Sequence, residues 1–278
     1  DVRALLPHAK ISYAADWTEY GAYVPTDTSG DVLFPLDDLW AHPDIDFVGV
    51  DWYPPMGDWR EGEDHLDALA GHTAADDPEY LAEQLAGGEA YDWYYADDAA
   101  RAAQERIPIE DTAHGEHWVF RQKDIAGWAG AAHHPRPGGV RSEVPTGWLP
   151  GLKPIRFSEI GFAAVDKAGN APNLFFDPKS SESGLPPFSN GGRDDVIQQR
   201  LLNATLGHFV GEGIVEAAHV WAWDARPFPA WPMRGDAWGD GANWARGHWL
   251  NGRTGIAPLA SIVADICAVG GAGPVDVR

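Results

Sequence analysis

Residues 154–162 read PIRFSEIGF, a short β-branched and aromatic run in which Glu159 stands near the end. Three further segments have the same form: residues 10–17 (KISYAADW), 45–53 (IDFVGVDWY) and 218–224 (AHVWAWD). Such runs predict short strands, and each of these four carries a carboxylate or an aromatic residue at its end. Because the runs are largely apolar rather than strictly alternating, they indicate a parallel sheet that is buried on both faces.

Helical patterns lie between and after these runs. The clearest is at residues 194–211, where apolar side chains recur at helical spacing, and others are predicted at residues 78–86, 97–106, 116–132 and 257–269. Strands that alternate with helices predict an α/β fold, and we favour the (β/α)8 TIM-barrel type. A doubly wound sheet is the alternative, but no glycine-rich nucleotide-binding loop follows any of the four runs.

The longest connections all follow the carboxyl ends of predicted strands. They span residues 53–154, 169–193 and 226–251. In (β/α)8 barrels, the loops at that end of the strands build the active site. We therefore expect the carboxylates at the strand ends to converge on one cleft within long loops.

Charge and composition narrow the class of protein. The chain has 278 residues and a net charge of -22, which disfavours contact with nucleic acid or anionic membranes. No run of about 18 apolar residues is present, so no membrane insertion is expected. The lone Cys267 excludes an internal disulfide, and no metal site or cofactor is predicted. The chain opens on Asp1 with no signal peptide visible, and we interpret it as a fragment or excised domain.

Tryptophan is unusually frequent. The chain contains 14 Trp, several of them beside polar loop residues. Aromatic faces stack on the C–H groups of pyranose rings, so this set favours a carbohydrate site. For any single Trp, a place in the core or an interface is the more common explanation.

Glu159 is the best candidate for a catalytic residue, because it ends a strand that is otherwise apolar. Glycoside hydrolysis needs two carboxyl groups, one to protonate the leaving oxygen and one to attack the anomeric carbon or activate water. The other three strand ends carry Asp16, Asp51 and Asp224. Three roles stay open for each of them: the second catalytic carboxylate, a ligand for sugar hydroxyls, or a salt-bridge partner. We predict substrate binding by Asp16, Trp17, Asp51, Trp52, Tyr53, Trp223, Asp224 and Arg226. Within this set Tyr53 is expected to hydrogen-bond a nucleophilic carboxylate, and Arg226 is a candidate ion-pair partner of Asp224.

Several long motifs resemble a known family, the glycoside-hydrolase TIM-barrel-like domain of gene transfer agent and phage tail proteins. The resemblance covers nearly the whole chain, and its motifs are long and irregular. They lie at residues 13–20 (YAADWTEY), 48–55 (VGVDWYPP), 87–95 (GGEAYDWYY), 157–161 (FSEIG), 177–183 (DPKSSES), 221–227 (WAWDARP) and 247–253 (GHWLNGR).

The strand motifs are also similar, more distantly, to clan A glycosidases near the family 113 β-mannanases. That resemblance implies a nucleophilic Glu at the end of barrel strand seven, which falls on Glu159. It places the acid/base Glu at the end of strand four, upstream of Asp1. Residues 1–278 would then be a single barrel domain that covers mainly the C-terminal half, strands five to eight. With open sheet edges, such a chain is expected to associate or to be poorly stable.

The resemblance implies retaining hydrolysis of a bacterial cell-envelope polysaccharide by a phage-tail-like particle, with Glu159 as the nucleophile. Other tail or baseplate proteins are the further expected partners, and the expected location is the particle tail at the bacterial surface. A glycan-binding barrel without catalysis and a purely structural barrel of the tail hub are the alternatives, since a fold does not by itself imply a function.

Overall fold

A computed structural model of the protein describes residues 2–175 and 183–221. Its main sheet has four strands in the order β1-β2-β5-β6, and a two-stranded sheet pairs β3 with β4. The pairs β1–β2 and β2–β5 are parallel. The strands are β1 (Ala14–Asp16), β2 (Val48–Trp52), β3 (Trp93–Tyr94), β4 (Ile107–Pro108), β5 (Ile155–Ile160) and β6 (Ala217–Val220). The four predicted runs therefore supply the four strands of the main sheet.

Short helices connect these strands. They are α1 (Val2–Leu5), α2 (Asp37–Trp40), α3 (Leu66–Leu69), α4 (Pro78–Leu85), α5 (Asp98–Ala103), α6 (Ile125–Gly130) and α7 (Asp195–Thr205), with single 3-10 turns at His117–Phe120, Pro137–Gly139 and Ala168–Asn170. Asp194 caps α7 by accepting hydrogen bonds from the backbone N–H groups of Val196 and Ile197. A π-helical segment, Leu206–Gly211, continues α7.

One predicted helix is interrupted in the structure. Instead of a continuous helix over residues 116–132, the chain forms a 3-10 turn and then α6. Arg121 adopts an extended conformation, and Asp124 caps the new helix through the backbone N–H of Gly127. An aspartate whose carboxylate competes for backbone donors favours such a helix start over the interior of a helix. The helix predicted at residues 257–269 lies outside the described residues.

The core lies against one face of the main sheet. Ala15, Val50 and Phe157 are neighbours in register across β1, β2 and β5, and all three are fully buried. Trp52 stacks on Phe157 with ring centroids 4.8 Å apart. Residues of the helices join the same buried cluster, including Tyr80, Leu81 and Leu85 of α4 and Ile197 and Leu201 of α7. This packing fixes which side chains of the strands point to the opposite, polar face.

A buried pair of polar side chains, His133 and Asp37, lies apart from the sheet, within an aromatic enclosure that we call the His133 cage. His133 Nδ1 lies 2.9 Å from Asp37 Oδ2, and His133 Nε2 lies 2.8 Å from the carbonyl oxygen of Trp128. Phe34 and Trp148 stack on the ring at centroid distances of 4.8 Å and 5.6 Å. Both ring nitrogens therefore lie within hydrogen-bonding distance of an oxygen, which holds the ring in one orientation.

By its internal contacts the chain separates into two compact units, Asp1–His219 and Val220–Arg278. The site described below lies in the first unit, and the single domain expected over residues 1–278 stays a prediction. Within residues 2–175 and 183–221, no helix is long and apolar enough to cross a membrane. The same residues contain no cluster of three or more His, Cys, Asp or Glu side chains placed to hold a metal ion.

Candidate active site

Three carboxylates form a row across neighbouring strands, which we call the carboxylate row. Asp16 of β1 pairs in register with Asp51 of β2, and Asp51 pairs with Glu159 of β5. Side chains at paired positions of parallel strands project to the same face of the sheet. The carboxyl ends of the three strands therefore bring together three of the four carboxylates predicted there from the sequence.

A bulge in β5 decides where Glu159 points. Val50 pairs with Phe157, but the next residue of β2, Asp51, pairs with Glu159, so Ser158 is an extra residue. Strict alternation would put Glu159 on the same face as Phe157, which is in the core. The extra residue shifts the alternation, as bulges beside active sites do, and turns Glu159 to the face of Asp51. The pattern of the sequence alone did not indicate this bulge.

Tyr53 holds Glu159 from the end of β2. Its hydroxyl donates a hydrogen bond of 2.9 Å to Glu159 Oε2. Burial, and after it the hydrogen bond and negative charge of Glu159, raise the pKa of Tyr53 above its usual range. The phenol therefore stays protonated and serves as a donor at neutral pH. Such a donor orients the carboxylate that accepts its hydrogen bond.

Asp51 carries unused hydrogen-bonding capacity. Its Oδ1 atom is buried and has no hydrogen-bond partner within the described part of the chain. The backbone is well anchored, because the Asp51 carbonyl accepts a 3.1 Å hydrogen bond from the backbone N–H of Trp17. A buried acceptor without a partner is unfavourable unless a ligand or water supplies a donor. Asp51 is therefore suited to bind a hydroxyl beside Glu159.

Asp16 is already engaged by its own loop. Its Oδ1 accepts hydrogen bonds from the Thr18 backbone N–H at 2.8 Å and from the Thr18 hydroxyl at 2.6 Å. Nearby, the Tyr13 hydroxyl donates to Glu19 at 3.0 Å, and that bond raises the pKa of Tyr13. The geometry thus gives Asp16 a part in shaping the turn after β1.

Trp52 occupies a different place from the predicted sugar platform. It is only 1 % exposed and packs in the core against Phe157 and Phe209. Its ring has no free face for a sugar, which corrects the sequence-based expectation. The reason is the alternation of β2, where Asp51 and Trp52 must point to opposite faces. Trp17 is half-buried in the loop after β1, whereas Trp223, Asp224 and Arg226 lie outside the described residues.

Sequence reasoning missed a small hollow beside Trp17. It is lined by Trp118, Arg121 and Trp128, together with polar residues of the loop after β1. These residues stand about a hundred positions from Trp17 in the chain, and no local pattern connects them. Only the general excess of Trp pointed towards aromatic sites of this kind.

Residues 1–232 match the family model of the GTA TIM-barrel-like domain, where GTA denotes the gene transfer agent. The chain belongs to this family. The parallel sheet with connecting helices is consistent with the α/β architecture of a GTA TIM-barrel-like domain, and the family recognised from the motifs is confirmed. No curated protein matches the chain in sequence.

Proposed function

We propose that this GTA TIM-barrel-like domain is a retaining glycoside hydrolase that cuts bacterial cell-envelope polysaccharide. The observation that carries the proposal is the placement of Glu159 at the end of β5, bonded by Tyr53 at 2.9 Å and paired in register with Asp51. In a retaining reaction, one carboxylate attacks the anomeric carbon and forms a glycosyl-enzyme intermediate that water then hydrolyses. Glu159 is the nucleophile in this proposal.

The neighbours of Glu159 take supporting roles. Tyr53 directs one carboxylate oxygen and leaves the other available to the anomeric carbon. Asp51 accepts a hydrogen bond from a sugar hydroxyl through Oδ1, which has no partner within the described residues. Hydrogen bonds of this kind near the reacting carbon strengthen in the transition state of glycosidases. The proposal also assigns the four strands of the main sheet to barrel strands five to eight, by the resemblance to clan A enzymes.

The biological setting is part of the same proposal. The domain would act in the tail of a phage-like particle at the bacterial surface, with other tail or baseplate proteins as neighbours. The match to the gene transfer agent family supports this setting. The tail is where such a particle meets the envelope, so a glycan is the substrate class that fits both the family and the carboxylate row.

The test is reducing-sugar release from envelope polysaccharide and from a panel of mannans, using the full protein that carries this domain. Glu159→Gln keeps the size of the side chain and removes the nucleophilic charge, so we expect activity to fall by about 10⁴-fold or more. Glu216→Gln is the matched control, because Glu216 forms an exposed ion pair with Arg156 at 2.6 Å, away from the carboxylate row. Equal activity of wild type and Glu159→Gln would refute the assignment.

Glycan binding without hydrolysis is the second candidate. It is favoured by half-buried Trp17 and Trp118, which line the hollow after β1 and provide aromatic surface without any reactive group. If a folded wild type releases no sugar from any glycan but binds one, and Glu159→Gln binds it equally well, the binding role replaces the catalytic one.

A further inference from the structure

The loop between β5 and α7 places an aromatic residue in a costly backbone conformation. Residues 186–189 read PPFS and form a turn, which a 3.0 Å hydrogen bond from the Ser189 N–H to the Pro186 carbonyl closes. Phe188, the third residue of this turn, has a φ angle of 65°. That position of the turn normally takes glycine when φ is positive, and a bulky residue there is an outlier. Such strain at an exposed loop points to a role for the Phe188 ring.

One face of the Phe188 ring is covered and the other is open. The Arg60 guanidinium lies over the ring, with its central carbon 4.1 Å from the ring centroid. Phe188 is nonetheless 39 % exposed, so the side of the ring opposite Arg60 faces solvent. Removal of apolar surface from water is what makes packing favourable, and a ring that served only to cover Arg60 would gain from further burial. The open face is instead available to a ligand.

The cation beneath the ring is fixed in place. The Arg60 guanidinium donates hydrogen bonds to the carbonyl oxygen of Ala102 at 2.8 Å and to that of Arg101, and it pairs with Asp58 at 3.3 Å. The Arg60 side chain is only 11 % exposed. Phe188 therefore rests on a rigid support, and a side chain that is already ordered loses little conformational entropy when a ligand binds.

Asn170 ties the turn of Phe188 to the loop that carries Arg60. The side chain of Asn170 accepts a 2.9 Å hydrogen bond from the Trp59 backbone N–H. Its amide group donates to the carbonyl oxygens of Trp59 and Pro187, both at 2.9 Å. Asn170 is 5 % exposed, so this connection is shielded from water. The residues on either side of the ring stack, Trp59 and Pro187, are thus held by one buried amide.

Both loops leave the strands that carry the carboxylate row. The loop of Arg60 follows β2, which contributes Asp51, and the loop of Phe188 follows β5, which contributes Glu159. Loops after the carboxyl ends of parallel strands surround the same site. Arg60 follows Tyr53 by seven residues, and seven extended residues span at most about 25 Å. A polysaccharide chain bound at Glu159 can therefore extend as far as Phe188.

We propose that Phe188 is the aromatic platform of a distal sugar subsite, on which one pyranose ring of a bound polysaccharide stacks. The C–H groups of the sugar contact the open face of the ring, whose π electrons are suited to such groups. The inference rests on the proposed glycan binding. It narrows the ligand to a chain long enough to reach from Glu159 to Phe188, rather than a single sugar or a disaccharide.

The test is affinity electrophoresis of the full protein in gels that contain envelope polysaccharide or a mannan. A Glu159→Gln parent prevents cleavage of the polymer during the run. Adding Phe188→Ala to this parent should weaken binding about ten-fold, because the flat apolar face is lost. Phe188→Trp keeps an aromatic face and should bind as the parent does.

Two further variants make the test specific. Leu185→Ala is the matched control, since Leu185 lies in the same loop and is 41 % exposed but has no flat face, and it should bind like the parent. Phe188→Gly accepts the positive φ angle without strain and should bind as weakly as Phe188→Ala. Unchanged binding in Phe188→Ala or Phe188→Gly, an equal loss in Leu185→Ala, or a folded parent that binds neither polysaccharide would each overturn the proposal.

The result is separable from that of the hydrolysis assay. With Glu159 intact, Phe188→Ala should raise KM for the polysaccharide about ten-fold, with a smaller effect on kcat, because a distal contact is made in both the ground state and the transition state. Sugar release with the same KM in both proteins would remove the platform and leave the enzyme. Weaker binding by Phe188→Ala, with no sugar release by wild type, would support the platform in a glycan-binding domain.

Discussion

The carboxylate row and the His133 cage both hold acidic side chains, but their hydrogen bonding differs. In the cage, the Asp37 carboxyl group contacts His133 Nδ1 and accepts a hydrogen bond from the Thr146 hydroxyl. The other ring nitrogen of His133 contacts the carbonyl oxygen of Trp128. In the row, Glu159 is held by Tyr53, and Asp51 Oδ1 has no partner in the described part of the chain. The cage is complete within the protein, whereas the row still has room for hydrogen bonds from another molecule.

This difference separates a polar pair suited to structure from a carboxylate suited to function. A buried pair whose hydrogen bonds are all formed stabilises one conformation, and removal of one member leaves the other buried and unsatisfied. Carboxylates at strand ends that can still accept hydrogen bonds contribute less to the stability of the fold and more to ligand binding. Four variants follow from this division, from the largest expected effect to the smallest: three change the cage or the row, and one removes a buried charge, Lys123, that lies outside both.

His133→Ala should give the largest effect. It leaves the buried Asp37 without its His133 partner and opens a cavity between the stacked rings, and the free energy of unfolding should fall by about 3–5 kcal/mol. Urea unfolding of the full chain measures this value. Glu159→Gln is the comparison and should change it by no more than about 0.5 kcal/mol. If both variants lose similar unfolding free energy, the cage is no more important for stability than the carboxylate row, and the proposed difference between the two regions is wrong.

Lys123 is a buried basic residue with no carboxylate in direct contact, so it tests how burial of a charge changes the pH dependence of stability. Its ammonium group donates to the Gly87 carbonyl at 2.8 Å, and burial lowers the pKa of Lys123 from 10.5 to about 7. Between these values the unfolded chain binds a proton that the folded chain has released, so stability rises with pH.

Relative to Lys123→Met, wild type should therefore gain about 1.4 kcal/mol of unfolding free energy per pH unit between about pH 7 and 9. The penalty of the buried charge is fully present below pH 7 and is relieved as the pH rises. Urea unfolding at several pH values measures the difference, and Lys10→Met controls for loss of an exposed charge. A difference that is flat across this range would contradict the burial argument.

Tyr53→Phe should separate activity from stability. Loss of the hydrogen bond to Glu159 should lower kcat/KM for the glycan by about 10–100-fold, because bonds to charged groups contribute about 1.5–3 kcal/mol. Unfolding free energy should change by about 1 kcal/mol or less. Tyr13→Phe removes a similar bond to Glu19 at 3.0 Å, outside the row, and should retain activity. Equal losses of kcat/KM in the two variants would show that the hydrogen bond from Tyr53 to Glu159 has no specific role in catalysis.

Asp16→Ala should give the smallest effect. It removes the two hydrogen bonds to Thr18 and should reduce stability by about 0.5–1 kcal/mol. Asp64→Ala serves as a control at an exposed aspartate. Should Asp16→Ala raise KM for the glycan while the unfolding free energy stays unchanged, Asp16 serves the substrate, as the sequence first suggested, rather than the loop.

The sequence by itself determined the strands and their chemistry. The runs that contain Asp16, Asp51 and Glu159 predict strands because β-branched and aromatic residues cluster over a few positions, and such local patterns survive without tertiary context. The family motifs were equally local, since each is a continuous stretch of chain. The expected partnership of Tyr53 with a carboxylate at a strand end was also readable, because both follow strands of one parallel sheet.

Only the tertiary structure decided the register of the strands and the face of the sheet to which each side chain points. The bulge at Ser158 turns Glu159 away from the core, and the alternation of β2 buries Trp52 while it presents Asp51. The hollow joins Trp17 to Arg121 and Trp128, which are distant in the chain. Register, bulges and contacts between distant residues depend on the packing of whole elements. A shift of register by one residue moves every side chain of a strand to the opposite face of the sheet. No pattern along a single segment contains that information.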